Sequence, residues 1–240
     1  MKIEERRERV FLILAGLFIS AMAMLNVIGI TRFIQVGPFS LPVGVLPYPI
    51  TFLCTDIVSE LYGKSRASFL VWLGFCCNLF VFGLMWVAGA LPSVSSGVPP
   101  WQLIPLGDAG LMLSDGELVK GQVELYHIVY TCTLSSVWAS MLAYLAAQFA
   151  DVHLFHFWKK LTHGRHLWLR NNGSTVISQL IDTAAVNMVT FGPVVMAGAM
   201  SFDTAVGFFW GSYSFKLVVA LIDTAPFYFA VYRLKKYLEL

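Results

Sequence analysis

Apolar residues gather into six runs along this chain: Val10 to Ile30, Leu46 to Tyr62, Phe69 to Leu91, Leu125 to Phe149, Thr175 to Met200, and Ala205 to Tyr232. A helix needs about 20 residues to cross about 30 Å of hydrocarbon. Five of the runs meet that length. The second is shorter and follows "VGPFSLPVGVLPYPI", where Pro38, Pro42, Pro47 and Pro49 forbid a regular helix. That stretch reads as an irregular or hairpin-like element dipping toward the membrane. Such backbone is tolerated only under a cover of protein or beside a water-filled cavity. The fold expected is an all-α integral membrane protein with six transmembrane helices, a single domain over residues 1–240.

Composition strengthens this reading. Hydrophobic residues make up 58% of the chain and charged ones 12%, about half the charge of a soluble domain. The net charge of +2 says little; its distribution says more. Lys2, Arg6, Arg7 and Arg9 precede run one, and Lys64 and Arg66 follow run two. Lys159, Lys160, Arg165 and Arg170 follow run four, and Arg233, Lys235 and Lys236 close the chain. The alternate loops hold only Arg32 and Lys120, beside Asp108, Asp115, Glu117 and Asp203. The positive-inside rule places both termini in the cytoplasm, provided that the short second run also crosses. The first run is too long for a signal-peptide core and has no clear cleavage site, so it counts as a span.

Smaller features read as structure. Cys54, Cys76, Cys77 and Cys132 are packing residues without metal spacing. The loop from Leu91 to Gly121 reads as a passive outer loop rather than a lid. "DVHLFHFWKKLTHGRHLWLRNNGS" suits an interfacial helix, with Trp158 and Trp168 at headgroup level. Asn171, Asn172 and Gly173 read as a turn, and Ser174 as a cap for the next helix. Four histidines lie there without an acidic cluster, so no metal is expected. Gly207 and Gly211 suggest helix packing. Asn26, Asn78 and Asn187 suggest hydrogen bonds between helices, and Pro193 and Pro226 suggest kinks.

The charges inside the runs carry the chemistry. Asp56, Glu60, Asp182, Asp223 and Lys216 sit where each ionised group costs about 2.5–3.5 kcal/mol, roughly 12–17 kcal/mol together. Asp56 and Glu60 share a helix face with Gly63; Thr175, Gln179 and Asp182 share another; Tyr213, Lys216 and Asp223 share a third. "LIDTA" occurs twice, at Leu180–Ala184 and Leu221–Ala225, weak evidence of an internal repeat. Four acids against one lysine leave three negative charges over. Some carboxylates then hold protons, or a cationic or donor-rich solute binds among them, and either describes a transporter. No intramembrane protease motif and no P-loop is present, so neither proteolysis nor ATP hydrolysis is expected, and no cofactor is implied.

"FLCTDIVSELYGK", "DVHLFHFWKKLT" followed by "NNGSTVISQLIDTAAV", and "SYSFKLVVALIDTAPFY" together resemble the queuosine precursor transporter family, also called vitamin uptake transporter-like. The resemblance implies six helices, in a fold similar to the substrate-binding subunits of energy-coupling-factor transporters. It implies import of 7-cyano-7-deazaguanine or 7-aminomethyl-7-deazaguanine across the bacterial inner membrane. The alternative it leaves is a substrate-binding subunit of an ATP-driven complex. The expected partners are that small molecule and the lipid bilayer, with no nucleic acid; a homodimer stays open. The family's polar positions map to Asp56, Glu60, Asn172, Ser174, Gln179, Asp182 and Lys216. Asp182 or Glu60 would accept from the base edge, with Gln179 and Lys216 donating and Tyr213 nearby. Asp56 and Asp223 would serve coupling or helix locking.

Overall fold

The computed structural model describes residues 2–240 except 30, 38, 95–98, 114–116, 197 and 199, and the backbone alone at 33, 36, 39, 40, 42, 112, 135–140, 190, 193 and 194. Pro38, Asp115 and the Pro193 side chain therefore lie outside the described residues. Among these described residues six α-helices dominate: α1 (Ile3–Ile28), α2 (Tyr48–Tyr62), α3 (Lys64–Ala90), α4 (Leu125–Leu161), α5 (Leu167–Met196) and α6 (Phe202–Leu238). Among the described residues, α1, α3 and α6 are long and apolar enough to cross a membrane. The proline-rich stretch forms an antiparallel hairpin, β1 (Phe33–Val36) against β2 (Phe39–Pro42), then a 3₁₀ turn at Val43–Val45. The loop between α3 and α4 carries two further two-stranded sheets, β3 (Leu103–Pro105) with β6 (Gln122–Glu124) and β4 (Leu111–Met112) with β5 (Leu118–Val119).

The helices alternate in direction, and their end contacts prove it. Arg6 near the start of α1 bonds Glu239 just past α6 at 3.0 Å, and Glu8 bonds Arg66 at the start of α3 at 2.7 Å. Glu60 near the end of α2 meets Lys159 of α4, Arg170 of α5 and Lys235 of α6. Both termini and the basic segments grouped by the sequence thus share one end of the bundle.

The short α2 is the buried centre. Nine of its 15 residues are buried, Thr51, Thr55, Asp56 and Ser59 among them, and it packs against α1, α3, α4 and α6. At about 1.5 Å per residue it rises only about 22 Å, which the hairpin before it extends. Phe18, Val58, Leu70, Phe155 and Phe227 pack around it as the apolar core. Asn26 of α1 donates to Asn78 of α3 at 2.9 Å, an amide bond between helices, whereas Asn187 bonds only within α5, to the Thr183 carbonyl.

Three expectations need correction. Residues 151–174 hold no separate interfacial helix: α4 continues to Leu161, and α5 begins at Leu167 after a tight turn with positive φ at His163, Gly164 and His166. Asn171, Asn172 and Gly173 are helical, not a turn. Asn172 is held by the Trp168 carbonyl and Thr224, and Gly173 leaves room for the Trp158 indole, 3.0 Å from where a Cβ would stand. A Cβ built at Gly207 would meet nothing within 4 Å among the described residues, so this glycine does not mark the close helix contact expected of it.

Gly63 alone joins α2 to α3, at φ 85° and ψ 175°, a conformation open essentially to glycine. Gly63→Ala is expected to lower stability by about 1–3 kcal/mol, read as a lower thermal midpoint in detergent. Gly207→Ala, in open helical space, should leave that midpoint the same or higher.

Candidate functional site

Two polar regions occupy the interior. The first lies between the start of α2, α5 and α6. The Lys216 ammonium donates to Asp182 Oδ2 at 2.6 Å, with both side chains largely buried. Lys216 also sits over the Tyr48 ring, 4.7 Å from its centroid. The Tyr48 hydroxyl lies beside Asp182 and Gln179 without completing a hydrogen bond, and Gln179 Oε1 has no donor. Tyr48, Phe52, Gln179, Phe215, Lys216 and Asp223 line a cleft of about 20 Å³, room for about one water. A larger guest must part these helices.

The second region lies along the α2–α4 seam. Thr55 donates to Gln148 Oε1 at 3.2 Å, and Gln148 Nε2 donates to Tyr144 at 2.6 Å. One step further, the Asp56 and Asp151 carboxyls come within hydrogen-bonding reach, and Ser178 of α5 donates to Asp151 Oδ1 at 3.0 Å. Asp56 Oδ1 and Asp151 Oδ2 have no donor. With one proton between them two carboxyls bond; with none they repel.

Beyond that pair the sign reverses. Glu60 accepts from Lys159 at 2.9 Å and from Lys235 at 2.7 Å, with Arg170 at 3.4 Å. Glu60 and Arg170 are both 4% exposed at the side chain, whereas the two lysines reach solvent.

The residues singled out by the sequence therefore divide. Gln179, Lys216 and Asp223 line the cleft, and Asp182 joins them through its ion pair with Lys216. Glu60 is enclosed by cations and does not line it. Asp56 faces Asp151. Tyr213 donates to the Val176 carbonyl at 3.1 Å, and Asn172 exchanges hydrogen bonds with Thr224, so both tie α5 to α6. Sequence reasoning missed Tyr48, Tyr144, Gln148, Asp151 and Arg170. Tyr144, Gln148 and Asp151 stand at i, i+4 and i+7, the spacing of one helix face, and that signal was available once α4 was extended past Phe149.

Removing the Glu60 charge leaves Arg170 buried without its carboxylate. Glu60→Gln is expected to cost about 2–3 kcal/mol, at or below the usual range for breaking a buried pair because Lys159 and Lys235 can turn to water. The check is the thermal unfolding midpoint in detergent.

Residues 42–230 match the model of the family described as "Putative vitamin uptake transporter". The chain is 26% identical over 195 residues to the "Probable queuosine precursor transporter" of Bacillus subtilis (strain 168), covering 81% of this chain and 73% of that protein. No solved structure matches it.

Proposed function

We propose a function from one premise: the chain belongs to the vitamin uptake transporter family, whose model spans residues 42–230. It imports a deazaguanine base, 7-cyano-7-deazaguanine or 7-aminomethyl-7-deazaguanine, across a bacterial inner membrane. The named Bacillus subtilis relative supports the substrate class. The alternating helices support six passages, with the shared basic end in the cytoplasm.

The observation that carries the reading is the Lys216–Asp182 pair beside Gln179 and the Tyr48 ring. A guanine-like edge presents two adjacent donors, N1–H and the 2-amino group, which one carboxylate accepts as a fork. It also presents O6, an acceptor. The entering base takes the place of Lys216 on Asp182, and the released ammonium and the Gln179 amide donate to O6. Tyr48 and Phe215 supply aromatic faces for the ring. The exchange is near-neutral: each charged group leaves one partner only as it gains another, so neither is stranded in a dry interior. The pair closes the cleft when empty, which keeps ions from leaking through it. The chemistry is binding and release, with no bond made or broken in the substrate.

The Glu60 cluster fits a different task in this scheme. It fastens α2, α4, α5 and α6 at the end that carries both termini. Opening that end for release means breaking bonds that water can replace for the lysines, and less readily for Arg170.

Uptake of radiolabelled 7-cyano- and 7-aminomethyl-7-deazaguanine into proteoliposomes tests the function. Wild-type protein should accumulate label above protein-free vesicles. Asp182→Asn and Lys216→Met should each lower uptake by about tenfold to a hundredfold, the worth of a charge-assisted hydrogen bond or two. Uptake within about twofold of wild type in both variants would remove the pair from the site.

A further inference from the structure

We propose that Asp223 and the Gln179 amide form an ammonium-recognising end of the cleft, which makes the transporter prefer a base carrying a primary amine arm over the same base with a neutral arm. The inference rests on the deazaguanine reading and goes beyond it in assigning selectivity.

Charge is unevenly matched along the cleft. Asp182 is met by Lys216 at 2.6 Å. Asp223 lines the same cleft, and among the described residues it has no ion-pair or hydrogen-bond partner. Lys216 is engaged by Asp182, and Asp56 of α2, which interacts electrostatically with Asp223, is itself an acid. The cleft therefore carries a carboxyl group that no described residue pairs. Gln179 supplies the independent sign that a donor belongs there. It is 3% exposed, it lines the cleft, and among the described residues its Oε1 completes no hydrogen bond, the nearby Tyr48 hydroxyl included. Buried acceptors without donors are costly. A guest that completes this end must bring several N–H donors, and positive charge with them. A primary ammonium brings three donors on one atom.

The spacing is suitable. Asp223 follows Lys216 by seven residues, two turns along one face of α6 and about 10 Å at the rise of a helix. Lys216 and Asp223 therefore stand on one face of α6 and line the same cleft. In a 7-aminomethyl base the arm leaves the ring beside O6. One amide can then serve both, with Gln179 Nε2 donating to O6 and Oε1 accepting from the ammonium, while Asp223 takes the remaining donors and the charge. A nitrile arm offers Asp223 neither donor nor charge.

Competition uptake in proteoliposomes, with the 7-aminomethyl and 7-cyano bases carrying different labels, reads the preference as a ratio. Wild-type protein should favour the aminomethyl base. Asp223→Asn, close in size, should lower the ratio by about tenfold or more. Asp223→Glu should keep most of it, and Gln179→Glu, which adds a second carboxylate, should raise it. If Asp223→Asn does not insert as a monodisperse protein, the Asp223→Glu and Gln179→Glu ratios decide alone. A ratio in Asp223→Asn equal to that of wild type, or one that falls in Gln179→Glu, overturns the assignment and leaves the deazaguanine reading standing. Wild-type protein that takes up neither base removes both.

Discussion

A charge carried into hydrocarbon needs a partner on another helix, and in this protein that requirement fixes the bundle. α2 is too short and too polar to be stable on its own in lipid. It bears Thr51, Thr55, Asp56, Ser59 and Glu60 within three turns, and most of them are shut away from both lipid and water. The surrounding helices supply a partner for three of them: Gln148 for Thr55, Asp151 for Asp56, and three cations for Glu60. Position along α2 therefore sets the register of α4, α5 and α6 at once. The apolar core around Phe18, Val58 and Phe155 fills space without distinguishing one register from another by charge.

The same requirement separates scaffold from site. Where the chain provides enough partners, as around Glu60, the polar group is spoken for and the region fastens helices together. Where fewer partners are found among the described residues, as at Asp223 and Gln179 Oε1, a guest completes them in the proposed scheme. The Lys216–Asp182 pair lies between these extremes. It is complete when empty, yet its two ends match the two hydrogen-bonding senses of a guanine-like edge. A cleft that holds about one water when closed fits a carrier that opens only when substrate can replace the broken pair.

How much of this the sequence discloses depends on the range of the interaction. The irregular stretch before α2 is legible because Pro42 and Pro47 act locally on the backbone, although Pro49 is accommodated in the first turn of α2, and the charged cleft residues are legible because charge in an apolar run is conspicuous. The partners of Glu60 are not, since Lys159 and Lys235 stand 99 and 175 residues away. Asp151 is hidden for a different reason. Hydropathy falls at the histidines after Phe149 and suggests that the span has ended, but helical hydrogen bonding continues to Leu161 and carries Asp151 into the seam. Asn171, Asn172 and Gly173 mislead because their local chemistry favours a turn. Tertiary bonds from Asn172 to Thr224, and the fit of Trp158 against Gly173, outweigh that preference.

The central claim is that substrate replaces Lys216 on Asp182. The most direct measurement is the Lys216 Nζ to Asp182 Oδ2 distance in an experimental structure with 7-aminomethyl-7-deazaguanine bound, against 2.6 Å in the closed, empty cleft. The account predicts separation beyond hydrogen-bonding range, with the N1–H and 2-amino edge of the base on Asp182. A bound base seated elsewhere, with the ion pair still closed, would contradict it.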